Sequence, residues 1–280
     1  ETGGRYRFNH AIVRQSLLAE LASVRRLRLH QRIATTLENE PGANDELLAE
    51  LAYHYFECAW AGNAAKAVEY CRRAADQAMA RLGYEGAADL YDHALHALDE
   101  IDDALPDRED QTAELLIARC EALLAAGDVA AAEGVVSQLQ EGTRGSERLA
   151  AWATCFDGQI SMLTHPERLD ELECAVGAAA DKLAELADAA GEAMAHTVRA
   201  ACLARLGRVG DCEIALDDAL GAARRAREDR RVNAVLAGAP LAALWGPNPV
   251  PRAGGRCLDV VRLLRITTDS PAVEATSTRC

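Results

Sequence analysis

Apolar residues recur every three or four positions along almost the whole chain, which is the period of an amphipathic helix. In the stretch 64–82, for example, Ala67, Cys71 and Ala74 fall on one side of the predicted helix. Arg5–Phe8 alternates polar and apolar residues instead, which predicts a short strand. The predicted helices are 10–21, 24–37, 45–60, 64–82, 84–101, 112–126, 129–140, 149–163, 166–186, 192–206 and 212–227.

One local pattern occurs four times: a small residue, three others, an apolar residue, two others and a second apolar residue. A turn glycine precedes each copy by a few residues. Alanine at the first position lets two antiparallel helices approach closely, and such a pair buries its apolar stripe only by stacking on its neighbours. The copies are Ala67/Cys71/Ala74, Ala87/Tyr91/Ala94, Ala132/Val136/Leu139 and Ala215/Ala219/Ala222.

The copy in Tyr84–Leu95 resembles the second helix of a tetratricopeptide repeat (TPR), with its alanine, aromatic residue and alanine. Two departures mark a degenerate array: the copies are not spaced by multiples of about 34 residues, and Asp99 stands where these repeats close with proline. The resemblance implies an all-α fold, a right-handed superhelical array of antiparallel helix pairs (a TPR-like α-solenoid). Repeat boundaries within 145–190 stay open.

Composition and charge narrow the function classes. The chain has 280 residues, of which 58 are alanine and 4% are aromatic, and its net charge is −14. It is too apolar for a disordered chain, too poor in aromatic residues for a β-sandwich and too acidic to favour a general nucleic-acid binder. No stretch reaches the roughly 18–20 apolar residues that span a membrane. The nine cysteines are dispersed, and we expect small buried side chains in a reducing cytoplasm.

Four blocks in the first hundred residues are similar to the join between ATPase and repeats in actinobacterial STAND-class ATPase regulators. The blocks are Arg5–Arg14, Arg25–His30, Leu51–Ala59 and Ala65–Tyr70. The resemblance assigns residues 1–40 to the C-terminal part of a winged-helix segment, which includes the short strand. It assigns residues 41–280 to the repeats, with 240–265 continuing the array, and we expect the array to be truncated at 280.

The same resemblance implies a nucleotide-sensing role for His10, with Arg14 beside it in the motif. In related STAND proteins a histidine at the start of the winged-helix segment reaches the phosphates of ADP. ATP or ADP would then occupy an upstream domain, and this chain itself would hold no cofactor. A histidine at a helix start also suits a local cap or packing contact, and this second reading stays open.

A second candidate is the basic run in which Arg25, Arg28 and Arg32 share one helical face. Such a run is a solvated face, a phosphate contact or, as we favour, an interdomain contact with an acidic partner. His54, His93 and His96 are candidate metal ligands, but their spacing is more typical of histidines on a protein surface than of a metal site. We find no P-loop and no pairing of a nucleophile with a base, and therefore predict no catalytic and no metal-binding residues.

The sequence therefore favours a cytoplasmic, non-catalytic regulatory module. Its repeats would bind a protein or peptide on a concave surface and control an attached STAND ATPase in a transcriptional regulator of the LuxR type. The surplus of acidic residues suits a basic partner. The alternative is a fragment of a class III adenylate or guanylate cyclase with a central ATPase domain.

Overall fold

The computed structural model describes residues 16, 20–40, 46–101, 107–142, 146–267 and 277–279, and these contain no strand. The predicted strand and winged-helix segment fall largely outside these residues. Twelve α-helices of nine or more residues are present in the described part. They are α1 Ser23–Glu38, α2 Leu48–Phe56, α3 Ala64–Ala80, α4 Tyr84–Asp99, α5 Arg108–Ala126, α6 Val129–Glu141, α7 Glu147–Thr164, α8 Leu169–Glu185, α9 Ala189–Arg205, α10 Val209–Ala226, α11 Asp229–Trp245 and α12 Val250–Thr267, with short 3-10 turns at Ala59–Ala61 and Pro166–Arg168.

The helix ends follow from local chemistry. Side chains of Asp128, Ser146 and Asp188 accept hydrogen bonds from backbone amides in the first turns of α6, α7 and α9, which satisfies donors that the helix leaves open. Gly127 and Gly207 follow α5 and α9 with positive φ, a conformation that glycine adopts without steric cost. These caps and turns set the short connections that fold the chain back on itself.

The first compact unit ends at Gly127. The five helices listed for this unit within the described residues pack in sequence order, each against the next, and α2 also contacts α4. Ala67 on α3 and Ala87 on α4 are fully buried, as expected for sites where helices approach closely. These two copies of the sequence pattern lie on the two arms of one helical hairpin. Their spacing therefore reflects the hairpin and is not a repeat period.

The second compact unit begins at Asp128 and has its own repeat length. Helices α6, α8 and α10 begin at Val129, Leu169 and Val209, and α12 begins at Val250, so the unit repeats about every 40 residues. A tetratricopeptide repeat has about 34 residues. The longer period explains why the sequence copies do not fit multiples of 34.

Alternate helices of the second unit form two rows. Helix α7 contacts α9, and α9 contacts α11, and we call these three helices the inner row. Helices α8, α10 and α12 form the outer row, and in the described residues no contact of similar extent joins α8 to α10 or α10 to α12. Neighbouring helices therefore approach one another more closely within the inner row than within the outer row.

Candidate functional site

The predicted nucleotide-sensing residues, His10 and Arg14, lie outside the described residues. Their role therefore stays a prediction. The predicted basic face lies on α1, and the structure describes it fully.

The side chains of Arg25, Arg28 and Arg32 are exposed and share the outermost stripe of α1. The opposite side of this helix carries its buried residues, His30 and Ala34. Within the described residues, none of the three arginines forms an ion pair. We call Arg25, Arg28 and Arg32 the arginine stripe.

Beside the arginine stripe runs an apolar edge. Leu29 and Ile33 are 37% and 40% exposed and follow each other one helical turn apart. Tyr53, on α2, is also exposed, and its ring packs edge-on against His30 at 5.6 Å between ring centroids. The outer surface of α1 therefore carries the arginine stripe and, beside it, two partly exposed apolar side chains, with Arg26 exposed next to Ile33.

Two histidines hold α1 against α2. The Nδ1 atoms of His30 and His54 are 3.0 Å apart, so one neutral imidazole donates its hydrogen to the bare nitrogen of the other. Burial, reinforced by His30, lowers the pKa of His54 to about 4. Burial also lowers the pKa of His30, against the opposing charge of Glu57. Both rings are therefore neutral at physiological pH. The prediction of surface histidines was wrong for His54 and for His93, which are both half-buried; the His93 ring stacks on that of Phe56 at 4.0 Å between ring centroids.

A second polar contact fixes the C-terminal end of α1. One carboxylate oxygen of Glu38 accepts hydrogen bonds from the Tyr55 hydroxyl and from the Lys66 ammonium, each at 2.6 Å, and the other accepts from the Tyr70 hydroxyl at 2.9 Å. The rings of Tyr55 and Tyr70 stack at 5.2 Å. The hydrogen bond with Lys66 leads the contacts that lower the pKa of Glu38. Helices α1, α2 and α3 are thus joined by one ionised carboxylate.

In the second unit, the middle helix of the inner row has two distinct sides. Glu192 on α9 pairs with Arg225 at 2.7 Å, and Arg199 pairs with Glu173 at 2.7 Å, so this side of α9 faces the outer row. Residues roughly opposite on the helix are partly exposed and mostly apolar. They are Ala190, Met194, Ala201 and Arg205, which we call the inner stripe.

Two carboxylates are buried between the helix pairs. Glu173 and Glu213, 6% and 7% exposed, are the fifth residues of α8 and α10. Arg208 lies 3.4 Å from Glu173, and Arg256 lies 2.7 Å from Glu213. A buried charge destabilises the fold unless it is paired with an opposite charge in this way. Repeat position alone could have signalled these residues, because each interrupts an apolar stripe one period from the other.

Asp188 connects α7 to α9. Its carboxylate accepts hydrogen bonds from the Gly191 amide at 2.9 Å, from Trp152 Nε1 at 2.8 Å and from Arg148 Nε at 2.6 Å. Burial alone raises the pKa of Asp188, but these three bonds outweigh it, so the pKa lies below its usual value. The Asp188 carboxylate is thus engaged by groups of its own chain, which indicates a structural role.

Cysteine, metal and membrane predictions can be checked over the described residues. Seven cysteines are buried, as expected, whereas Cys174 is exposed. The part of the chain that the structure describes brings no three histidine, cysteine or acidic side chains together as a metal site. Nor does any helix there combine the length and apolar content needed to cross a membrane.

Comparisons with known proteins bear on the fold. No family profile matches the sequence, and no curated protein matches it. A solved structure of a Rap protein complexed with Competence and Sporulation Factor is similar in fold, with a TM-score of 0.58 and 14% sequence identity. The similarity covers 90% of this chain and 74% of that chain. It supports a TPR-like helical repeat fold, while the predicted handedness of the superhelix stays a prediction.

Proposed function

We propose that this chain is a non-catalytic binding module, and that its repeats recognise a protein or peptide through the inner row of the second unit. The observation that carries this proposal is the serial contact of α7, α9 and α11, which joins their exposed sides into one surface. The inner stripe supplies partly exposed apolar side chains to that surface. Helical repeats use extended surfaces of this kind for binding.

The fold comparison supports the same proposal. The similar Rap protein was solved in a complex with Competence and Sporulation Factor. We infer that the present chain also takes a partner, and the net charge of −14 favours a basic one. The partner's binding would be reported to an attached STAND ATPase of a transcriptional regulator, as the four sequence blocks imply, with ATP or ADP in that upstream domain.

A peptide-display selection tests the binding role. The chain is immobilised and challenged with a library of random 15-residue peptides, and enriched peptides are measured by fluorescence anisotropy. We expect enriched peptides with net positive charge. Met194→Glu and Ala201→Glu, on the inner stripe, should each weaken their binding about tenfold or more, because a carboxylate replaces an apolar contact.

The matched control is Ile214→Glu, which places the same charge on an exposed residue of the outer row. It should leave the affinity within about twofold. Selection of no peptide, or equal losses from the inner-row and outer-row substitutions, would contradict the proposed function.

A further inference from the structure

We propose that the outer surface of α1 is a second docking surface, and that it binds an acidic amphipathic helix from outside this chain. The inference begins with the pairing of basic residues. Acidic residues outnumber basic ones by 44 to 30, so a basic side chain has many possible partners. Arg119, Arg199 and Arg256, for example, each lie 2.7 Å from a carboxylate oxygen.

The arginine stripe has no such partner. Exposed arginines elsewhere, such as Arg72 and Arg252, also form no ion pair in the described residues, but the stripe places three guanidinium groups on one helical face within about 10 Å along α1, at a rise of 1.5 Å per residue. Like charges at this spacing disfavour the isolated helix slightly. An acidic partner would relieve that repulsion, and charge complementarity of this kind governs association rate and specificity.

The apolar edge decides what kind of acidic partner fits. Leu29 and Ile33 flank the arginine stripe on the same exposed surface. If the phosphate backbone of a nucleic acid bound here, Leu29 and Ile33 would contact charged phosphates instead of apolar groups. The net charge of −14 would also repel a nucleic acid at longer range. A helix with carboxylates on one stripe and apolar residues on the next complements both features, as in helix-in-groove recognition.

The surface is also held in place before binding. Helix α1 is tied to its neighbours at mid-length by the His30–His54 hydrogen bond and at its end by Glu38. A preordered helix loses less conformational entropy on binding than a free one. The docking surface therefore consists of the arginine stripe, Leu29 and Ile33.

The test uses a displayed library of 15-residue helical peptides and two charge variants of the whole chain. One variant carries Arg25→Glu, Arg28→Glu and Arg32→Glu. The matched control carries Arg72→Glu, Arg81→Glu and Arg252→Glu, three exposed arginines elsewhere with the same change in net charge. We expect acidic peptides enriched on the native chain to bind the control equally and the stripe variant about 30-fold more weakly.

A further variant of the whole chain tests the apolar edge formed by Leu29 and Ile33. Leu29→Ser with Ile33→Ser keeps all charges and should weaken the same acidic peptides about fivefold or more, because apolar contacts are lost. Circular dichroism of each variant checks that the helices persist.

Four results would overturn the inference. The first three are that no acidic peptide is enriched, that stripe and control variants affect acidic peptides equally, and that a 20-base-pair DNA duplex binds through the stripe more tightly than the peptides do. Self-association that the stripe variant abolishes would identify a second copy as the occupant and would also overturn it. These outcomes leave the inner-row proposal intact, because its basic peptides respond to Met194 and Ala201 instead.

Discussion

At the scale of single residues, Gly191 is tightly packed between buried side chains of the second unit. A Cβ atom there would lie 2.8 Å from Leu183 Cδ2 and 2.9 Å from Trp152 Nε1, and both of those side chains are buried. We expect Gly191→Ala to lower the free energy of unfolding by about 1–3 kcal/mol through overpacking. Urea denaturation followed by circular dichroism measures it.

The matched control for this substitution is Gly134→Ala in α6, where no atom lies within 4 Å of the added Cβ. It should raise the free energy of unfolding by about 0.5–1 kcal/mol, because alanine favours the helix. The same change from glycine to alanine is therefore expected to lower the free energy of unfolding at Gly191 and to raise it at Gly134. A loss at both positions would show that Gly191 is not limited by packing.

A second residue-scale prediction concerns the turns after α8 and α9. Each turn has a 2.9 Å backbone bond across its end, from Asp188 to Leu183 and from Arg208 to Leu203, and a central residue with positive φ. That residue is Ala187 in one turn and Gly207 in the other. Ala187→Gly should stabilise the protein by about 0.5–1 kcal/mol, because glycine carries no Cβ penalty there. Gly207→Ala should destabilise it by a similar amount, and a thermal melt of both variants compares them.

At the scale of elements, periodicity predicted most helices but not what joins them. The predicted range 64–82 corresponds to α3, Ala64–Ala80, and 129–140 corresponds to α6. Helix α11 was not predicted as a helix, because Pro240 lies inside it; proline lacks a backbone donor and usually ends a helix. The continuation of the helical array through 240–265 was anticipated only from the family resemblance.

The candidate site was predicted in part. Helical spacing placed Arg25, Arg28 and Arg32 on one face, and the structure shows that face exposed. The pairing of His30 with His54 could not be predicted, because it depends on how two separate helices pack. Sequence periodicity describes one helix at a time, whereas contacts between helices depend on loop lengths and packing angles.

The histidine pair makes the contact of α1 with α2 dependent on pH. In the unfolded chain both imidazoles take up protons near pH 6.5. In the folded chain their pKa values are lowered, that of His54 to about 4. The unfolded state therefore binds more protons as pH falls from about 6.5 to 4, and the free energy of unfolding should fall by about 1–3 kcal/mol from this source.

Urea denaturation at pH 7.5, 6 and 5 measures this loss. His54→Asn should remove much of the dependence on pH, since one titrating group is gone. His96→Asn makes the same substitution at an exposed position outside the pair and serves as the control for the substitution itself. An unchanged slope in His54→Asn would show that the pair does not titrate differently in the two states.

At the scale of the whole molecule, the chain has two compact units, each with its own buried aromatic or aliphatic centre. Leu51 is fully buried in the first unit, and Phe156 is fully buried in the second, where its ring lies 5.6 Å from that of Trp152. In an array built from helix pairs, each pair contacts chiefly its neighbours. A cavity in the buried centre of one unit should therefore destabilise the helices of that unit more than those of the other, until the whole chain unfolds.

Hydrogen exchange with mass spectrometry tests this expectation with a pair of large-to-small substitutions. Phe156→Ala should cost about 3–5 kcal/mol and Leu51→Ala about 2–5 kcal/mol, through lost burial and the cavity left behind. Phe156→Ala should speed exchange in α7–α10 more than in α3 and α4, and Leu51→Ala should do the reverse, because partial unfolding follows local stability. If both variants raised exchange equally in all these helices, the two units would unfold as one cooperative body, and the partner-binding surfaces on each could not be altered independently.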